Sequence, residues 1–114
     1  MVSDSDVRIL FRAVHHNSPT RQDFRSAEEL GLTPRYRLSA QKRRQWAGLS
    51  MEDDRESLTA TMRQNPSIGR YIAEIHIRPD MNVTIEQTGR LHHYTVWGDA
   101  QTLLGAVVAV RSVE

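Results

Sequence analysis

The chain has 114 residues, 39% of them hydrophobic and 25% charged, with no cysteine and a net charge of +1. That length suits one packed domain rather than two, and the composition is that of an ordinary globular protein. Disulfides, thiolate metal sites and cysteine nucleophiles are excluded, and no global field draws the chain to nucleic acid. No segment approaches the roughly 20 consecutive apolar residues of a membrane span, so no membrane partner is expected. The acidic, polar start Met1-Val2-Ser3-Asp4-Ser5-Asp6 is unlike a secretory signal, and a cytoplasmic location is expected.

Val7 to Val14 is mostly apolar, which predicts a central strand buried on both faces. Asn17-Ser18-Pro19 ends it. Thr20 is then the expected N-cap of a helix from Arg21 to Leu30, with Asp23 at the capping-box position and Gly31 closing the helix. Leu32 to Gln45 reads as a long surface connection with one helical turn near Ala40 to Arg44. It carries the basic cluster Arg35, Arg37, Lys42, Arg43 and Arg44 with Tyr36 and Trp46 interleaved.

Trp46 to Met51 predicts a short strand. Glu52-Asp53-Asp54 then places acids at the positive end of a helix running to about Asn65, with Leu58 and Met62 as its buried stripe. Pro66 and Gly69 break it, and Tyr71 to Ile77 alternates as a strand except at Ile72. Val83 to Thr88 and Leu91 to Trp97 predict two more strands separated by a turn at Gly89. A short helix from Ala100 to Leu104 precedes an almost wholly apolar strand from Ala106 to Val113, expected to be central. The fold class is α+β, a single small domain with central strands and two or three short helices.

Three blocks in this order carry a resemblance. Phe11-Arg12-Ala13 leads to Ser18-Pro19 and then Gly31-Leu32-Thr33-Pro34-Arg35; Gly48-Leu49-Ser50 precedes a helix; and Tyr71 to Met81 precedes His93-Tyr94-Thr95-Val96. The order resembles the core of the cholera-type mono-ADP-ribosyltransferases. The resemblance implies an ADP-ribosyltransferase-like fold over residues 1–114, with NAD or a related nucleotide as ligand and ADP-ribose passing to a protein or nucleic-acid acceptor. It sets Arg12 on the family's catalytic arginine and Ser50 on the last serine of its Ser-Thr-Ser strand. Thr95 falls where the catalytic glutamate belongs, and a threonine carries no charge. The implied catalytic set is therefore Arg12, Ser50 and, as the nearest replacement acid, Glu86; the implied cofactor-binding set is Arg12, His15, His93 and Tyr94.

Each residue also has a structural reading. Arg12 in a buried strand can pair with an acid such as Glu74. Ser50 can be an ordinary hydrogen-bonded strand residue, and Tyr94, Trp97 and Trp46 core or rim aromatics. His92 and His93 are adjacent, so in a strand they point to opposite faces and cannot both hold one metal; the same applies to His15 and His16. The alternative function is a catalytically inactive module of the same fold. Its surface from Arg35 to Arg44, with Trp46, would bind a protein or nucleic acid.

Overall fold

The computed structural model describes residues 6–33 and 37–113. These form strands β1 (Arg8–Val14), β2 (Leu49–Glu52), β3 (Tyr71–Ile77), β4 (Thr84–Gln87), β5 (His93–Trp97) and β6 (Val107–Ser112), with helices α1 (Ala40–Trp46), α2 (Arg55–Gln64) and α3 (Ala100–Gly105). The strands make one sheet of order β4-β5-β2-β1-β3-β6, and every pairing is antiparallel. The chain is an α+β domain. Pro34, Arg35 and Tyr36, which carry part of the expected turn and basic cluster, lie outside the described residues.

Side chains alternate along each strand, so the sheet has two unequal faces. Leu10, Val14, Met51, Ala73, Ile75 and Val96 face one way and pack with Phe24 and Leu103 in the main core. Phe11 and Ile72 face the other way beneath Leu58 and Met62 of α2. Covering on both sides accounts for the apolar run of β1, the expected central strand, and for Ile72 interrupting the alternation of β3. The helix N-termini are set locally. Asp54 accepts from the Ser57 amide at 2.9 Å, Asp99 from Thr102 at 3.1 Å and Ser39 from Lys42 at 3.2 Å, each closing a first turn.

Two expectations are corrected. The segment from Arg21 to Leu30 is not one helix: a single 3₁₀ turn, Arg21–Phe24, ends at Arg25, whose backbone is extended. Thr20 caps that turn with Asp23 in the expected box. Ser26, buried at 2% exposure, then opens a second box with Glu29, the amide of each residue donating to the side chain of the other. Two capping signals six residues apart divide the segment, because a residue that caps cannot also continue a helix. Gly31 closes the second turn at φ +74, as its position predicted.

The last strand is not central. β6 lies at the sheet edge beside β3, with Val108 56% exposed at a bulge opposite Glu74 and Ile75. Its apolar residues serve one face only, where Val107 and Val110 pack on the main core. An apolar run reports how well a strand's faces are covered; it carries no information on whether its edge is paired.

Candidate functional site

The site forms where the sheet is least continuous. β1 and β3 share seven register pairs, whereas β1 and β2 share one, Phe11↔Glu52. Arg12 fills the gap. Its Nε–H donates to the Asp23 carbonyl at 2.7 Å and Nη1 donates to the Ser50 carbonyl at 2.9 Å. The guanidinium thus ties β2 and the 3₁₀ turn to the central strand. Burial lowers its pKa to about 10, with the Asp23 charge acting in the opposite sense, so it remains a cation at neutral pH. Two of its five N–H donors are engaged with main chain; three have no protein partner among the described residues.

The expected ion pair between Arg12 and Glu74 does not form. Arg12 lies opposite Ala73 and Glu74 lies opposite Phe11, so the two side chains leave opposite faces of the sheet. Glu74 instead meets Arg55 at 3.1 Å and His76 at 2.7 Å.

Beside Arg12 lies a cleft of about 360 Å³, in the range of small-molecule sites. Arg12, Ser50, Glu52, Arg90 and His93 supply its polar lining, and Leu58, Thr61 and Ile68 its wall on the α2 side. A smaller recess of about 230 Å³ shares Arg12 and Ser50 and continues toward Arg25, Ser26 and Trp46. Arg12 and Ser50 therefore stand between two adjoining hollows, a layout suited to a ligand with two lobes. A roomier cleft of about 440 Å³, between the 3₁₀ turn and the start of α3, contains none of the sequence-predicted site residues.

Within the cleft, Glu52 is 5% exposed and accepts from the Ser57 hydroxyl at 2.6 Å. It is the cross-strand partner of His93, so the two share a face. His93 places Nδ1 2.8 Å from the Thr88 carbonyl and 3.1 Å from the Thr88 hydroxyl. Thr88 Oγ1 lies 2.7 Å from Thr95 Oγ1, and Thr95 is 3% exposed. Position 95 is thus a closed hydroxyl pair inside the sheet.

Of the sequence-predicted residues, Arg12, Ser50 and His93 meet at this cleft. Glu86, His15 and Tyr94 do not line it. Glu86 is exposed on edge strand β4 and pairs with Arg44 at 2.8 Å. Arg44 also lies over the Trp97 ring, 4.1 Å from its centroid, while Trp97 Nε1–H donates to its carbonyl at 2.9 Å. That triad docks α1 on the sheet edge and occupies one residue of the basic cluster. His15 follows β1, exposed, with its amide donating to Asp23 at 3.2 Å. Tyr94 is opposite Met51 and faces the main core, with the Arg8 guanidinium 5.4 Å from its ring centroid.

Glu52 and Arg90 were missed by the sequence reading. Glu52 reads as the first of three helix-start acids, yet it is the last residue of β2, and the cap is Asp54. Alternation from Ser50 was the available signal, since residues i and i+2 of a strand share a face. Arg90 has no such signal: it follows the Gly89 turn, and with the left-handed backbone of His92, φ 73, β5 starts at His93, two residues later than the apolar pattern suggests. His92 stays outside the strand, paired with Asp53 at 2.7 Å. Among the described residues, no group of three or more His, Asp or Glu side chains is placed to hold a metal ion, and no helix is long and apolar enough to cross a membrane.

No family model, curated protein or solved structure matches this chain.

Proposed function

We propose that the chain is an ADP-ribosyltransferase-like domain that binds NAD, or a closely related nucleotide, in the cleft at Arg12 and transfers ADP-ribose to a protein or nucleic-acid acceptor. The observation that carries this reading is convergence. Arg12, Ser50 and His93, separated by 38 residues or more in sequence, come from β1, β2 and β5 to one cleft. The donor set suits the ligand. The three unengaged Arg12 donors and the Arg90 cation match a diphosphate, which guanidinium groups bind through paired hydrogen bonds. The Glu52 carboxylate accepts hydroxyl hydrogens of a ribose, and Leu58 and Ile68 offer an apolar surface to a flat ring. On this reading Glu52, from β2, occupies the chemical place that Thr95 leaves vacant and that Glu86 is too far toward the sheet edge to fill.

Calorimetric titration with NAD tests it. Wild-type protein is expected to bind, and Arg90→Ala and Arg12→Lys to bind at least about tenfold more weakly, the loss of one charge-assisted hydrogen bond. Thermal denaturation of each variant separates lost binding from lost fold. Absence of wild-type binding at millimolar NAD would overturn the proposal. The second reading, an inactive interaction module, is favoured by one observation: Lys42 and Arg43 are exposed on α1 while Thr95 is sealed in the sheet. It predicts no NAD binding and salt-sensitive capture of an anionic partner, weakened by charge reversal at Arg43.

A further inference from the structure

His93 enters the cleft from the first position of β5, and its two ring nitrogens have unlike surroundings. Nδ1 lies 2.8 Å from the Thr88 carbonyl oxygen. A carbonyl oxygen only accepts, so the nitrogen facing it must carry a proton. The opposite tautomer would set two lone pairs against each other at that distance. Thr88 is itself fixed: its amide donates to the His93 carbonyl at 3.1 Å, and its hydroxyl is bound to Thr95 within the sheet. Neutral His93 therefore has its proton on Nδ1 and a free lone pair on Nε2, which has no hydrogen-bond partner among the described residues. An imidazole oriented by a backbone acceptor, with a bare nitrogen in a cleft, is arranged as a general base.

We infer that His93 is the general base of this site, its Nε2 taking the proton of a neutral hydroxyl acceptor. The inference rests on the NAD-binding reading above. In the step, the hydroxyl oxygen bonds to the anomeric carbon of the nicotinamide ribose. The carbon–nitrogen bond to the pyridinium breaks with its electron pair moving to the ring, so nicotinamide leaves neutral. The hydroxyl proton passes to Nε2, and the positive charge of the pyridinium reappears on the imidazolium. A carboxylate acceptor would need no base, whereas a neutral hydroxyl does, and water is the smallest member of that class. The charged groups sharing the cleft with His93 are Glu52 from β2, Arg12 from β1 and Arg90 from the preceding turn, and the Asp53–His92 pair adjoins it.

The tautomer is tested without any ligand. A long-range proton–nitrogen correlation spectrum of ¹⁵N-labelled protein, recorded at alkaline pH where the imidazole is neutral, should show protonated Nδ1 and bare Nε2; a proton on Nε2 overturns the inference. The catalytic role is tested with NAD and water as the acceptor, following nicotinamide release. His93→Gln should slow release by about 10²–10⁴-fold, leave KM little changed and abolish the acidic limb of the pH–rate profile. Imidazole added to His93→Ala should restore part of the rate, which a purely structural histidine would not allow. Three results overturn the base while leaving Arg12-dependent NAD binding intact: an unchanged rate in His93→Gln, a loss that imidazole does not rescue, or wild-type protein that binds NAD and releases no nicotinamide. Failure of wild-type protein to bind NAD removes the binding reading and the base together.

Discussion

Restoring a glutamate at position 95, where the resemblance places the catalytic acid, should damage the protein rather than activate it. Thr95 is 3% exposed, and its hydroxyl is 2.7 Å from that of Thr88. Its methyl group packs so closely on Gly48 that a Cβ there would collide with it. Thr95→Glu therefore adds volume to a filled site, at about 1–3 kcal/mol, and buries a carboxylate at a position only 3% exposed, at several kcal/mol more. A combined loss of about 4–6 kcal/mol is large against the roughly 6–17 kcal/mol total of a domain this size. At about 4 °C of Tm per kcal/mol for 114 residues, the melting point should fall by about 15–25 °C. Circular dichroism during heating measures this. Burial disfavours the ionised carboxyl, so the deficit should shrink as pH falls and the group takes up a proton in the folded state. A Thr95→Glu protein within about 1 kcal/mol of wild type, or one that releases nicotinamide faster, would refute the reasoning. Position 95 would then open onto the cleft.

Two other outcomes follow from the same geometry. Glu86→Gln should leave NAD affinity unchanged in the calorimeter and alter stability by less than about 1 kcal/mol, since its pair with Arg44 is half exposed on both sides; a marked loss of affinity would return Glu86 to the site. Glu74 titrates below its usual 4.5, chiefly through its hydrogen bond from His76, with burial opposing and Arg55 adding to the effect. A lowered carboxylate pKa stabilises the fold above the unfolded value, and that contribution is lost as pH falls through the folded one. Urea midpoints measured at successively lower pH, starting from about pH 5, should therefore decline less steeply in Glu74→Gln than in wild type, and identical slopes would contradict the assignment.

The parts of the fold legible in the sequence were those decided within a few residues. Thr20 with Asp23, and Leu58 with Met62 one turn apart, each act over three or four positions, and each appears as expected. The division of residues 20 to 31 into two turns was also present, as Ser26 three before Glu29, but the stronger match of Thr20 to a helix start obscured it. Of the site, Arg12, Ser50 and His93 were named from their order along the chain, and they share a cleft. Glu52 was hidden by a rival local meaning, since an acid before a helix is explained by the helix alone. Tyr94 was grouped with His93 in the expected binding set, but adjacent strand residues take opposite faces: His93 lies opposite Glu52 on the cleft side and Tyr94 opposite Met51 on the core side.

By itself, then, the sequence determined most of the elements and the covering of β1 on both faces, because periodicity and caps are local properties of the chain; Arg12, Ser50 and His93 came instead from the block order that carries the resemblance. Only the tertiary structure decided the strand order that leaves β6 at an edge, the short β1–β2 pairing that Arg12 fills, and the sealing of Thr95 against Thr88. Those depend on which strands meet and in what register, and strand pairing joins residues tens of positions apart with no periodic trace in either partner. The same pairing sets Glu52 beside His93, and so decides which carboxylate faces the cleft.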